Sequence, residues 1–231
     1  MLGELEDAKV LAGGQSLIPL LNFRLARPRH LVDINRVNGL DRIHERDGGV
    51  AVQALVRQAA VEDSDLVARV CPLLGEAVRL VAHRVIRNRG TVCGSLAHAD
   101  PASELPAVLL ALDGHVVARS TRGERSIPVA DLFTSVLETT LAPDELLVEA
   151  WFPESKGKHA IVEESRRHGD FALAGAVRYE DRLALFGVAA TPVLADPRDP
   201  TRGLQPGGDL EASSEFRLHL VRVLSERAFA A

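Results

Sequence analysis

The sequence predicts an α+β fold in two unequal parts that meet near residue 156. Three observations carry this prediction. Short segments of alternating apolar and polar residues indicate strands, and a 3.6-residue apolar stripe after Pro72 indicates a helix. The polar segment Glu154–Lys158 separates a larger N-terminal part from a shorter meander of strands. A chain of 231 residues is long enough for one large domain or two modest ones.

Three short strands are predicted ahead of the first long helix. The first runs into the glycine pair Gly13-Gly14, and the third follows the turn Asp47–Gly49. The predicted strands are Ala8–Leu11, His30–Ile34 and Gly49–Ala54.

Two helices follow in the middle of the chain. The first is predicted over Pro72–Ile86, where proline stands at a position that helix N-termini favour. The second, Glu104–Leu112, is predicted to end at the turn Asp113-Gly114. Strands on both sides of this helical region favour a mixed α+β arrangement.

Strands return after Gly114, three before the polar segment and three after it. They are predicted at Val116–Ala118, Arg125–Val129, Glu145–Phe152, His159–Arg167, Phe171–Tyr179 and Leu183–Ala190. Leu194–Asp209 is rich in Pro, Gly and Asp and is predicted to be a loop. Ser213 is predicted to cap a last helix. Its expected buried stripe comprises Phe216, Leu220, Val223 and Leu224.

Composition argues against several classes of function. A net charge of -5 and 4% aromatic residues disfavour nucleic-acid binding, which calls for basic and stacking surfaces. No apolar run approaches the length of a membrane span, and the acidic start is unlike a signal peptide. Cys71 and Cys93 are too few for an iron–sulfur cluster and are predicted to be reduced thiols of a cytoplasmic protein.

Two small-residue loops are the candidate binding site. They are Ala12-Gly13-Gly14-Gln15-Ser16 and Thr91-Val92-Cys93-Gly94-Ser95. Glycine and serine expose backbone N–H groups, so two such loops together suit a diphosphate. Each loop alone is weak evidence, because the same residues are typical of an ordinary turn into a helix, and neither matches the Gly-x-Gly-x-x-Gly or Walker pattern.

Other polar residues near the second loop leave their roles open. Arg87 and Arg89 could offset diphosphate charge or be paired elsewhere. Glu104 could accept hydrogen bonds from ribose hydroxyls or simply favour the helix dipole. A hydrolase triad and a metal site are both poorly supported, and a passive role for the Cys93 thiol is favoured.

Longer motifs extend this pattern along the chain. The stretch from Gly90 to Pro106 reads Gly-Thr-Val-Cys-Gly-Ser-Leu-Ala-His-Ala-Asp-Pro-Ala-Ser-Glu-Leu-Pro. Further segments are Leu17–Pro28, Leu31–Asn35, Arg166–Ala172 and Gly187–Val193. In this order they resemble the FAD-binding (medium) subunit of molybdenum hydroxylases, a family that includes aerobic carbon monoxide dehydrogenase and bacterial xanthine dehydrogenase-type enzymes. The resemblance covers nearly the whole chain.

The resemblance implies a fold and a set of site residues. The fold would be a two-lobed FAD-binding domain of the vanillyl-alcohol oxidase type at residues 1–155. A small α+β C-terminal domain with an antiparallel three-stranded sheet would follow at residues 158–231. The implied FAD-binding residues are Ala12, Gly13, Gly14, Gln15, Ser16, Thr91, Val92, Cys93, Gly94, Ser95, Glu104, Leu147, Asp170 and Phe171.

The function that the resemblance implies is electron transfer. Molybdopterin would be bound by a large partner subunit and [2Fe-2S] clusters by a small one, while this chain would bind FAD. No residue of this chain is expected to act as a nucleophile or general base. A stand-alone flavin oxidoreductase and a FAD-free structural or assembly subunit are the alternatives.

The sequence departs from the family pattern at three places. Members normally begin with a further strand and helix ahead of Ala8, and the segment Val177–Leu183 is shorter than usual. Cys93 stands where many members have glycine, so backbone strain is expected if that position has positive φ.

Overall fold

The computed structural model describes residues 2–231, in which six consecutive α-helices in the middle of the chain are followed by a long run of strands. The strands are β1 (Ala8–Leu11), β2 (His30–Asp33), β3 (Ile43–Arg46), β4 (Gly49–Gln53), β5 (His115–Ser120), β6 (Gly123–Pro128), β7 (Phe133–Ser135), β8 (Glu138–Thr139), β9 (Leu146–Pro153), β10 (His159–Ser165), β11 (Ala172–Tyr179), β12 (Arg182–Phe186) and β13 (Val193–Ala195). The helices are α1 (Leu17–Asn22), α2 (Gln58–Glu62), α3 (Asp65–Val70), α4 (Pro72–Leu80), α5 (Arg84–Arg87), α6 (Val92–His98), α7 (Glu104–Leu112) and α8 (Ser214–Ala230).

Two larger sheets organise the molecule. The N-terminal part is built on an antiparallel five-stranded sheet of order β3-β4-β9-β5-β6, and β1 pairs with β2 in a separate parallel sheet. The C-terminal part is an antiparallel sheet of order β10-β11-β12-β13. The predicted α+β class is therefore confirmed, and a fourth short strand, Val193–Ala195, joins the three that were predicted.

Helix α7 is the element that both parts share. All nine of its residues are buried, as expected for a helix that is apolar on every side. It packs against α4 and β9 of the N-terminal part and against β11 and β12 of the C-terminal part. Its first residue, Glu104, therefore lies where the two parts meet.

The C-terminal sheet is covered on one face by α8 and faces α7 and α4 on the other. Ala160 and Val162 of β10 belong to the apolar cluster under α8. Ile161, between them, packs with the core of the N-terminal part. This alternation is the two-residue period of a strand that is buried on both faces.

The helix predicted over Pro72–Ile86 is interrupted. Helix α4 ends at Leu80, Ala82 has φ +44°, and α5 begins at Arg84. The carbonyl oxygens of Val81 and Ala82 accept hydrogen bonds from the Arg87 guanidinium at 2.9 and 3.1 Å, so they are satisfied without a continuous helix. The prediction of one helix was wrong because the apolar stripe continues through the corner.

The end of the chain also differs from its prediction in one detail. Ser213 caps α8 as predicted, and its hydroxyl accepts a hydrogen bond from the Phe216 N–H at 3.2 Å. The Phe216 side chain is exposed, however, and the buried face of α8 instead includes Arg217, Leu220 and Leu224. The Arg217 guanidinium is accommodated there because it donates hydrogen bonds to the carbonyls of Leu173 and Gly187.

Candidate functional site

The first small-residue loop joins β1 to α1. Gly14 has φ +74°, a conformation that glycine adopts at little cost. The Gln15 side chain turns back to donate a hydrogen bond to the Gly13 carbonyl at 3.1 Å. Within residues 2–231, the N–H groups of Gly14, Gln15 and Ser16 donate to no protein oxygen. The Ser16 hydroxyl makes no capping hydrogen bond. The loop therefore offers several free donors.

The second loop is more deeply built into the fold. Thr91 caps α6, and its hydroxyl accepts a hydrogen bond from the Gly94 N–H at 3.0 Å. Thr91, Val92 and Cys93 are buried. Ser95 forms a hydroxyl–hydroxyl hydrogen bond of 3.0 Å with Ser103, directly before Glu104. The Thr91 hydroxyl therefore caps the helix as an acceptor, and its O–H proton remains available to donate.

The first loop contacts the two residues that lead into the second loop. Gly13 is so close to the Arg89 carbonyl and the Gly90 Cα that a side chain at position 13 would overlap them. This contact explains why glycine is required at position 13. The structure thus brings the first loop against the residues that lead into the second.

Asn35 and Arg57 tie the two loops together. The Asn35 amide donates a hydrogen bond to the Ala12 carbonyl at 2.9 Å, and its oxygen accepts one from Arg57 at 2.6 Å. The other Arg57 nitrogen donates to the Arg89 carbonyl at 2.8 Å. Sequence reasoning missed Arg57, because an isolated arginine reads as a solvated side chain.

A groove of about 380 Å³ opens beside this contact. It is lined by Leu11, Gly13, Gly14, Gln15, Ile18, Pro19, Asn22, Ile86 and Arg89. Arg89 is exposed, and its side chain forms no ion pair within the described residues. The groove therefore combines the free N–H groups of the first loop with one unpaired cation, an arrangement that suits an anion.

Arg87 does not belong to this groove. Its guanidinium is buried and donates hydrogen bonds to both carboxylate oxygens of Glu62 at 2.9 and 3.2 Å. It also donates hydrogen bonds to the carbonyl oxygens of Val81 and Ala82 at the corner between α4 and α5. Of the two arginines considered from the sequence, only Arg89 is available to a ligand.

Cys93 is a buried helical residue without backbone strain. It is the second residue of α6 and is absent from the positions with positive φ. Its thiol lies 3.3 Å from the Val52 carbonyl, and burial raises its pKa far above the usual range. The condition for strain, a positive φ at position 93, is therefore not met, and the passive role predicted for this thiol agrees with its burial.

Glu104 is buried at the start of α7. Burial raises its pKa to about 8, with smaller contributions from the charges of Glu163 and Asp100. Glu104 forms no ion pair in the described part of the chain. A buried carboxyl group without a cation is suited to a hydrogen-bonding ligand, which is consistent with a hydroxyl-binding role.

The last three predicted residues occupy different surroundings. Leu147 is buried in β9, opposite Ala118 of β5. Asp170 and Phe171 are exposed in the loop between β10 and β11. That loop contacts the α4–α5 corner, where the rings of His168 and His83 lie 5.4 Å apart. Within residues 2–231, no hydrogen bond or ion pair joins Asp170 or Phe171 to either small-residue loop.

These features fit the FAD that the resemblance implies. Free backbone donors and Arg89 suit its diphosphate, and they lie in one groove. The buried Glu104 carboxyl group and the Ser95–Ser103 hydroxyl pair suit its uncharged, hydroxyl-bearing portion.

Comparison with known protein families supports the same conclusion. Residues 1–155 match the family described as the FAD binding domain in molybdopterin dehydrogenase. The chain belongs to this family. As a member of the molybdopterin dehydrogenase FAD-binding family, it has FAD as its cofactor and is a subunit of an oxidoreductase.

Individual relatives align over nearly the whole chain. The 6-hydroxypseudooxynicotine dehydrogenase complex subunit alpha of Paenarthrobacter nicotinovorans is 40% identical over 256 residues, covering 97% of this chain and 86% of that protein. The nicotine 6-hydroxylase medium subunit of the same organism is 44% identical, covering 96% of this chain and 88% of that protein.

A solved carbon monoxide dehydrogenase from Hydrogenophaga pseudoflava has a chain that superposes on this one with a TM-score of 0.94 at 31% identity. The superposition covers 100% of this chain and 91% of that chain. The fold inferred from the sequence is therefore that of this family. No helix within residues 2–231 is both long and apolar enough to cross a membrane.

We expect Arg57→Lys to loosen the contact between the loops. Lysine keeps the positive charge, but its single ammonium group cannot replace the two guanidinium nitrogens that donate to Asn35 and Arg89. The free energy of unfolding should fall by about 1–2 kcal/mol in urea titrations. Arg36→Lys, an exposed change on the same segment as Asn35, is the control. Equal stability of the two variants would contradict the proposed link.

We expect Cys93→Gly to destabilise the protein rather than relieve strain. The change adds glycine to a helix and removes a buried side chain, at a combined cost of about 1–3 kcal/mol. Thermal unfolding of the flavin-free chain measures it, with Cys93→Ala as a milder control. A Cys93→Gly variant more stable than the wild type would show that the helical description of this position is incorrect.

Proposed function

We propose that this chain is the electron-transfer subunit of a molybdopterin-dependent dehydrogenase or hydroxylase. It would accept electrons from iron–sulfur clusters of a partner subunit and pass them to an external acceptor. The observation that carries the proposal is the contact of the first loop with Arg89 and Gly90, which lead into the second loop and would let two distant segments of a family member form one FAD site.

The residues of the chain would bind and orient the cofactor. The free N–H groups of Gly14, Gln15 and Ser16, together with Arg89, would hold the diphosphate. Thr91 and Gly94 would act indirectly by fixing the start of α6. Bound FAD supplies the redox chemistry by taking up and releasing electrons.

We also propose that the other residues predicted from the sequence contact or lie near FAD. Val92 and Cys93 could contribute only backbone groups, because their side chains are buried. Glu104 and Leu147 are proposed to contact FAD, and Asp170 and Phe171 are proposed to lie near its ring. We also propose a FAD-binding domain at residues 1–155 and a C-terminal domain at residues 158–231.

The proposed partners are a molybdopterin-binding large subunit and an iron–sulfur small subunit. The names of relatives include a dehydrogenase complex subunit and a medium subunit, which supports an assembly of several chains. Two buried cysteines are too few to ligate a four-cysteine cluster, so the clusters would lie on another chain. We propose a cytoplasmic location, where such thiols stay reduced.

Three measurements test the proposal. Flavin released from the denatured protein should be FAD, since two loops suit a diphosphate, and FMN alone would contradict the two-loop site.

The isolated chain should pass electrons from a reductant to a dye but should not oxidise an organic substrate. Turnover of a specific substrate at about 1 per second or more would favour a stand-alone flavin oxidoreductase. A folded chain without flavin absorbance would favour a structural subunit.

We expect Arg89→Gln to weaken FAD binding by about tenfold, because it removes the unpaired cation of the groove. Equilibrium dialysis of the flavin-free chain against FAD measures the change. Arg222→Gln, on the exposed face of α8, is the matched control. Equal affinities of the two variants would exclude Arg89 from the site.

A further inference from the structure

A second groove lies in the C-terminal part of the chain, between α8 and the loop that follows β13. It has a volume of about 440 Å³ and shares no lining residue with the groove beside the first small-residue loop. The α8 residues that line it follow the i, i+3, i+4, i+7 spacing, so the helix presents one face to it. The lining residues are Pro197, Arg198, Asp199, Pro200, Thr201, Arg222, Ser225, Glu226 and Phe229.

The loop wall of this groove is held by its own hydrogen bonds. The Asp196 carboxylate accepts a hydrogen bond from the Arg198 N–H at 2.9 Å. The Asp196 carbonyl accepts one from the Asp199 N–H at 3.0 Å, and the Asp199 carbonyl accepts one from the Arg202 N–H at 3.1 Å. Two prolines in the same loop restrict its backbone further. A hydrogen-bonded turn therefore faces the helix across the groove.

Ser225 brings an unsatisfied hydroxyl group to this groove. The residue is 3% exposed, and its Oγ atom is buried without a hydrogen-bond partner among residues 2–231. A serine inside a helix can donate to the carbonyl four residues earlier, and Ser225 does not. A buried hydroxyl group without a partner costs free energy, which a ligand with a polar group would recover. This hydroxyl group is the observation that points to a ligand.

Each wall of the groove carries one cation and one carboxylate. Arg198 and Asp199 are adjacent in the loop, and Arg222 and Glu226 lie one turn apart on α8. In the part of the chain that the structure describes, none of these four side chains forms an ion pair. The Asp199 carboxylate accepts a hydrogen bond from the Thr201 hydroxyl at 3.3 Å. Because the formal charges cancel, a ligand with a single charge would meet a like charge on both walls.

Apolar surface completes the lining. Phe229 is half-buried, and the Arg178 guanidinium lies 4.6 Å from the centroid of its ring. Arg178 lies outside the lining of the groove and donates hydrogen bonds to the carbonyls of Ala228 and Phe229 at 3.4 and 3.3 Å. Pro197 and Pro200 supply apolar surface on the loop side. A ligand with an apolar side chain would remove part of this surface from water.

We propose that this groove binds a small zwitterion with an apolar side chain, of which an aliphatic α-amino acid is the simplest example. The Ser225 hydroxyl would donate a hydrogen bond to the ligand carboxylate, which would also face Arg198 and Arg222. The ligand ammonium group would face Asp199 and Glu226. The inference does not rest on the proposed electron-transfer function, and it gives the C-terminal part of the chain a binding site of its own.

Equilibrium dialysis of the full chain against radiolabelled L-leucine tests the proposal. We expect a dissociation constant of about 1 mM or tighter. 4-Methylpentanoate lacks the ammonium group and 3-methylbutylamine lacks the carboxylate, so each should compete at least about tenfold more weakly than unlabelled leucine. Competition by 4-methylpentanoate as strong as by leucine would show a simple anion site and contradict the proposal. Absence of leucine binding up to about 10 mM would also overturn it.

The Ser225→Ala variant separates ligand binding from a structural role. It removes a hydroxyl group that has no protein partner, so leucine affinity should fall by about tenfold while stability in urea does not fall. Ser214→Ala, at the other end of α8 and outside the groove, is the matched control and should bind leucine like the wild type. Unchanged leucine affinity in Ser225→Ala would contradict the proposal. A loss of stability would contradict it as well, because the hydroxyl group would then be a structural element.

FAD affinity distinguishes this site from the proposed function. Because the two grooves share no lining residue, Ser225→Ala should bind FAD like the wild type. A folded Ser225→Ala variant that loses FAD but keeps leucine would contradict the assignment of Ser225 to a separate site. A wild-type chain that binds leucine but no FAD would contradict the proposed function and support this inference.

Discussion

The hydrogen bonds of Arg57 are the contact on which the candidate site depends. One guanidinium nitrogen holds the Asn35 amide, which in turn holds the first loop, and another holds the carbonyl of Arg89. Two segments that are far apart in sequence thereby form one groove. A planar fork with several fixed donors suits this task better than a single ammonium group. The glycine at position 13 completes the contact, because only a residue without a side chain fits against Arg89.

Helix α7 connects this groove to the rest of the molecule. It is buried between the five-stranded and the four-stranded sheets, and its first residue carries the buried carboxyl group of Glu104. In the part of the chain that the structure describes, the Oε2 atom of Glu163 on β10 is buried without a hydrogen-bond partner. The apolar helix fixes the geometry of the junction, and Glu104 is the one carboxyl group of this helix.

Most strands and the buried helix α7 could be predicted because their local patterns agree with their final surroundings. The α4–α5 corner could not, since the left-handed conformation of Ala82 leaves no mark on the apolar stripe. Both small-residue loops were found from their composition, but the Arg57–Asn35 contact spans 22 residues and depends on tertiary structure.

The segment Glu154–Lys158, which its composition marks as a linker, is anchored at its centre. Ser155 is completely buried, its N–H donates to the Val70 carbonyl at 3.1 Å, and its hydroxyl accepts from the Leu73 N–H at 3.1 Å. A protease needs several residues of extended, accessible backbone, and this connection does not present them. The two parts should therefore resist separation by limited digestion, and hinge motion at this connection would require the hydrogen bonds of Ser155 to break.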